Sequence, residues 1–498
     1  MNSNACVRMC GALVLALCLF ACGGGGGGGS AAPNPAPGPG PGPGPGPTPP
    51  PSGWSSSDGI SNVRNTMFTT MFTPPVALTN QGVAFVAWNE ADDFSLSHCG
   101  QIWVNRNAAG AWGAPTRVDA RGLGIAPSVA ANASGDAVVV WEEREFTGAN
   151  CTGGITGNEI WASRYSAASN AWGTPVRVSA DAPPNSTLFA FEPVVTLDAA
   201  GRAMAIWIQD DTVSPISVWF SRFDGTSWSA PALLSNGTRN TNEPTLAIDG
   251  SGNVIAVWSQ NTNQPDPSQS GGGPQIPNMW SARFDATAGS WSTPGLIGSA
   301  DLTGFDGTER PRLAVNAGGA AVAAWEETRS GITSIVASRL SSGTWSTPVP
   351  LETTNDQQAS FPAAAIDVNG NAQVVWVQKI DSTEANNSGY TARFDAVAGT
   401  WGAAQLFEQS ANEASFPQVG MEDSGRALIA WRESGSLTQV IHAAHFTPAS
   451  GFEAPTDFGG DNLALAVNAG GTALLASPLT TLSPTLIGIS VHAAMFRP

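Results

Sequence analysis

The chain predicts an all-β fold, a β-propeller of eight four-stranded blades, and three observations carry that reading. A proline, a glycine eight residues later and a tryptophan six beyond that recur seven times: Pro74/Gly82/Trp88, Pro127/Gly135/Trp141, Pro193/Gly201/Trp207, Pro244/Gly252/Trp258, Pro311/Gly319/Trp325, Pro362/Gly370/Trp376 and Pro417/Gly425/Trp431. A worn eighth copy keeps Leu463, Gly471 and Ser477 at the same offsets. The runs between are β-branched and aromatic, broken by turn residues and without a helical period. Repetition at roughly 45 to 70 residues means that each unit buries its apolar faces only against its neighbours.

The 498 residues are 42% apolar and 12% charged, with a formal net charge of -18. A single lysine, Lys379, stands against twenty arginines. Phosphate binding needs a basic face, so a nucleic-acid partner is not expected. No phosphate-cradling glycine loop opens a helix and no histidine set has metal-ligand spacing, so neither a cofactor nor a metal is expected. The chain is expected to act as a monomer.

Residues 1–21 read as an export signal, with Arg8 as the early charge and an apolar run from Gly11 to Phe20 too short to span a membrane. The run ends Leu19-Phe20-Ala21-Cys22, which resembles the lipobox of bacterial lipoproteins. The resemblance implies that Cys22 carries the lipid anchor. With Gly23 and not Asp following, it implies the outer membrane, on the periplasmic face or the cell surface. Residues 22–52 form a tether: a glycine tract from Gly23 to Gly29, then proline-glycine alternation. Such composition has no packed fold. Its proline-rich half, extended at ~3.1 Å per residue, reaches roughly 60 Å. Residues 53–498 are the propeller domain. Cys99 and Cys151 occupy equivalent loops of consecutive units, and in an exported protein a disulfide between them is expected, two free thiols being the alternative.

Within the second unit, Ser128 to Asn132 reads as a first strand headed by the repeat proline. Ala137 to Glu142 is a second strand, apolar on both faces, Glu159 to Tyr165 a third and Ala171 to Val178 a fourth. A strand covered on both faces fits sheets stacked around an axis. The eighth unit lacks a fourth strand after Gly488 to Phe496. Gly53-Trp54-Ser55 through Ile60 matches the missing strand, so the N-terminal segment near Trp54 is expected to close the ring. Seven blades with an appended hairpin is the alternative.

Between third and fourth strands the chain reads SRFDGTSW (Ser221 to Trp228), ARFDATAGSW (Ala282 to Trp291) and ARFDAVAGTW (Ala392 to Trp401). This resembles a loosened Asp-box, the turn of sialidase-type propellers. The resemblance implies the fold. It does not imply activity, because Asp-boxes occur in hydrolases, lectins and receptors alike.

Two residues after each repeat tryptophan stands an acceptor: Glu90, Glu143, Gln209, Gln260, Glu327, Gln378 and Glu433. They fall where the second strand enters a variable loop, so together they are a candidate ring for a glycan or protein ligand. Pairing within their own loops is the structural alternative. Asp92, Asp93, Asp210 and Asp211 extend this acidic rim without a calcium-loop spacing. Arg106, Arg164, Arg222, Arg283, Arg339 and Arg393 recur on the third strand, where each is expected to clip the end of its own unit's first strand. Arg121, Arg144, Arg239, Arg310, Arg329 and Arg432 are placed to reach the loop face. No catalytic set stands out, and Tyr165 and Tyr390 sit inside strands. The leading expectation is a lipid-anchored recognition module. A sialidase-like glycoside hydrolase and a purely structural envelope component are the alternatives.

Overall fold

The computed structural model describes residues 53–61, 73–90, 100–119, 121–148, 153–180, 187–210, 215–237, 239–262, 276–352, 358–380, 386–408, 410, 412–435, 439–483 and 486–498, without side chains at 481–488. The signal and tether, Cys22, the Cys99–Cys151 pairing, and Asp92, Asp93 and Asp211 lie outside these residues.

The described residues contain no helix and build eight antiparallel units. In the second unit Gly124–Ala131, Ala137–Phe146 and Ile155–Ser166 pair in order, and Ala171–Trp172 and Val176–Arg177 pair with the outer edge of the third strand. One parallel bridge, Asn158 to Phe189, joins this unit to the next. The second strand is apolar on both faces because it lies between two neighbours. Ala137, Val139 and Trp141 pack toward the first unit, while Val138 and Val140 pack with Val195 and Trp207 of the third. Trp88, Trp141, Trp207, Trp258, Trp325 and Trp376 are the largest of the fully buried side chains, so the repeat tryptophan is the wedge between units.

The innermost strands touch in cyclic order, Val76–Leu78, Gly124–Ala131, Phe189–Leu197, Thr241–Ile248, Phe305–Val315, Ala359–Ile366, Glu413–Met421 and Ala464–Val467, with the last against the first. The core closes in the same way: Leu474 and Val491 of the eighth unit pack with Trp88 and Trp103 of the first. The expected N-terminal strand is present, with Gly53 opposite Arg497 and Trp54 opposite Phe496. Trp54 meets Phe458 and Phe496 at ring-centroid distances of 4.9 and 5.5 Å.

Three readings of the sequence need correction. The fourth strand is not continuous: Gly173, Thr174 and Pro175 interrupt it, because proline cannot donate to the ladder. In six units the repeat proline does not head the first strand but lies inside it, at a bulge that excuses its missing N–H, whereas Pro74 precedes Val76–Leu78 as expected. The third-strand arginines do not all stay within their units. Arg283 meets its own unit's Asp249 at 3.6 Å, but Arg164 and Arg339 cross to the next unit, donating to the Gly201 and Gly370 carbonyls and lying over Phe223 and Phe394.

The face opposite the variable loops is built the same way from unit to unit. In six of the first turns a buried Asn or Asp accepts backbone N–H groups, among them Asn132 from Ser134 and Asp136, Asp198 from Ala200 and Arg202, and Asn468 from Gly470 and Thr472, while Thr79 and Glu422 hold the place in the first and seventh units. The turn glycine, such as Gly135 at φ 80°, supplies the left-handed conformation. Where the acceptor is asparagine, its amide also donates to the neighbouring unit: Asn132 to Asp198, Asn316 to Asp367, and Asn468 across the closure to Thr79. In the turns that resemble Asp-boxes, Asp224, Asp285 and Asp395 each accept two backbone N–H groups.

Candidate functional site

The seven acceptors fall on the loop face as a row, and all are buried. Six take the indole N–H of the tryptophan two residues earlier, from 2.7 Å at Glu143 to 3.3 Å at Glu90 and Gln378. A buried indole donor needs a partner, and a residue two along a strand shares its face, so each unit supplies its own. The fifth unit departs: Glu327 pairs with Arg329 at 2.7 Å, and the Trp325 N–H is left without a hydrogen bond. Burial pushes the Glu143 carboxyl up to about 7, against the hydrogen bond from Trp141. Beside it, Arg121 approaches Glu143, Glu145 and Glu159 at 3.4 to 3.8 Å. Among the described residues no acidic, histidine or cysteine cluster has the geometry of a metal site.

A second constellation was not foreseen. In six units the residue before the repeat proline has a left-handed backbone: Ala126, Glu192, Glu243, Arg310, Phe361 and Phe416, at φ from 47 to 57°. Residues before proline favour extended backbone, and non-glycine residues rarely take φ above zero, so the conformation is strained and imposed by its surroundings. Each is a β-bulge, seen as a register shift against the second strand. The bulges sit at the loop-face ends of the innermost strands, around one mouth.

A string of carboxylates links neighbouring bulges. Glu142 accepts the Glu192 N–H at 2.9 Å, Glu192 accepts the Glu243 N–H, and Glu243 accepts the Arg310 N–H at 2.5 Å. Both oxygens of Glu326 lie 2.9 Å from Arg310 Nη1, and Glu326 accepts the Phe361 N–H at 2.8 Å. The other half of the mouth is cationic and aromatic. Phe361 and Phe416 lie 4.5 Å apart, Arg310 covers the first ring at 4.8 Å and Arg432 the second at 4.7 Å. Arg432 also donates to Ser415 Oγ and the Asp461 carbonyl.

The charges respond to this enclosure. Burial pushes Glu142 up to about 7, and burial together with a neighbouring carboxylate raises Glu192 and Glu243. Burial lowers Arg144, Arg312 and Arg432, whereas at Arg310 burial, the largest single effect, is outweighed by Glu326, Glu243 and Glu309 together and the pKa rises. Glu142 can therefore hold or exchange a proton near neutrality, and the opposite side of the mouth stays cationic. Of the loop-face arginines named from the sequence, Arg310 and Arg432 meet here, while Arg121 and Arg329 join ion pairs nearer the variable loops. The position before each proline was the available signal, but its residue type changes from unit to unit.

No known protein family and no curated protein matches the chain. Solved structures do. A polysaccharide lyase, an ulvan lyase bound to a sugar, covers 88% of this chain and 95% of its own at 10% identity and a TM-score of 0.46. An α-L-arabinanase of Penicillium chrysogenum complexed with arabinobiose covers 61% and 92% at 15% identity and 0.37. A sialidase described as Hadza microbial covers 76% and 66% at 12% identity and 0.39. At these scores the likeness says nothing of what this chain binds.

Proposed function

We propose that this chain is a lipid-anchored cell-envelope propeller that binds a glycan across its mouth. The observation that carries the reading is the repeated strained bulge, which sets carboxylates on one side of the mouth and the Arg310–Phe361–Phe416–Arg432 stack on the other. Carboxylates accept from sugar hydroxyls, guanidinium groups donate to sugar oxygens, and phenyl rings offer an apolar face. Strain kept in six units needs a reason, and a shared ligand site is one. The anchor rests on the Leu19-Phe20-Ala21-Cys22 pattern, and radiolabelled palmitate should enter the wild-type chain but not Cys22→Ser.

A glycan array probed with the soluble Ser52–Pro498 fragment tests the reading. Binding should fall at least tenfold in Arg432→Ala and in Glu243→Gln. One observation favours a second reading, glycoside hydrolysis: Glu142 stays protonated up to about pH 7 within a string of carboxylates, as a general acid requires. Turnover of chromogenic glycosides, lost in Glu142→Gln, would establish that reading instead. Neither binding nor turnover would leave the structural role.

A further inference from the structure

A cavity of about 250 Å³ opens on the loop face of the fourth unit, between the end of Val254–Asn261, the start of Pro277–Asp285 and the segment around Ser299. Its lining includes Gln260, Thr262, Asn278, Trp280 and Ser299, and none of its residues carries a charge.

The equivalent position in the first two units is closed from within. There the third-strand indole donates to the side chain two residues earlier, Trp103 to Gln101 at 3.2 Å and Trp161 to Glu159 at 2.9 Å. In the fourth unit Asn278 holds that place but is turned away. Its amide donates to the Ser299 carbonyl at 2.8 Å, and its oxygen accepts the Met279 N–H at 2.8 Å. The Trp280 N–H is consequently buried without a partner. Gln260, 1% exposed, must turn its oxygen to the Trp258 N–H, which leaves its Nε2 group unpaired. The hydroxyl of Thr262, 9% exposed, is also unpaired. Three of the side chains that line the cavity, Trp280, Gln260 and Thr262, thus each carry a buried polar atom without a partner.

We propose that this cavity is a binding subsite for one uncharged sugar ring. Buried polar groups are hydrogen-bonded in folded proteins, and three orphans in one cavity call for a ligand with several hydroxyls. An ionic ligand would be desolvated with no countercharge among the lining residues. The volume lies below the ~300–1,000 Å³ of drug-sized sites, which limits the occupant to a single small ring. The half-buried Trp280 adds an apolar surface for the ring's C–H groups. The inference does not rest on the mouth, whose residues belong to other elements.

The test is isothermal titration of the full-length chain in detergent with the methyl glycosides of glucose, galactose, mannose and N-acetylglucosamine, and with methyl glucuronide and methyl galacturonide. At least one neutral glycoside should bind, with both uronides at least tenfold weaker. Trp280→Phe, which keeps a ring but removes the N–H, and Thr262→Val should each weaken binding about fivefold. Moving from pH 8 to pH 5.5 should leave it unchanged, since no lining residue carries a charge. Absence of binding by every neutral glycoside, preference for a uronide, or binding indifferent to both cavity substitutions would overturn the proposal.

Discussion

The two faces of the ring solve the same problem differently. On the turn face Asn132, Asp198, Asp249, Asn316, Asp367 and Asn468 cap six of the eight turns in nearly the same way, and only Thr79 and Glu422 depart. On the loop face the backbone repeats but the side chains do not: the bulge residue is alanine, glutamate, arginine or phenylalanine in turn. Repetition marks what holds the units together. Variation at a fixed, strained position marks what the ring presents to a ligand.

Substitutions should separate these roles. The largest effect is expected between the faces, at the buried wedge: Trp207→Ala should cost about 3–5 kcal/mol, read from chemical denaturation, because it opens a cavity that two units share. Next, Asp367→Ala on the turn face strips the partner from the Asn371 backbone N–H and amide, and should cost about 1–3 kcal/mol while leaving glycan binding intact. Arg432→Ala on the loop face should show the reverse, a loss of binding with a smaller change in Tm.

A pH scan sharpens the comparison further. Glu142, Glu143 and Glu352 rise to about 7 in the folded chain through burial, so between pH 4.5 and 7 the folded state binds more protons than the unfolded one. These groups leave stability undiminished below about pH 4.5 and lower it as pH rises through 7. His445, lowered to about 4 by burial, and His492, also lowered by burial, act oppositely, but they are two groups against three. Tm should therefore be several degrees higher at pH 5.5 than at pH 8. Glu142→Gln should flatten part of that slope, the smallest of these effects.

The ring was legible because the tryptophan spacing is a packing requirement and leaves its mark at every unit. The closing strand was legible for the same reason, since Trp54 belongs to a strand type repeated elsewhere. The row from Glu90 to Glu433 was visible as a row, but not its tie to the tryptophans: a tryptophan looks the same in sequence whether its indole N–H finds its partner two residues on, as Trp141 does, or does not, as at Trp325. The mouth was illegible for a deeper reason. A left-handed backbone before proline runs against local preference, so tertiary packing must impose it, and no pattern of residue types at Glu192, Arg310 or Phe416 announces it.

The closing pair joins parts of the chain 440 positions apart, as in the hydrogen bond from the Met495 N–H to Ser55 Oγ. Bringing such distant segments together is entropically costly and comes late in folding. Until then the first and last sheets each expose an unsatisfied edge, and either edge accepts the matching strand of a second molecule as readily as its own. Dilute refolding should favour closed single rings, and crowded refolding should yield exchanged dimers whose separation requires unfolding.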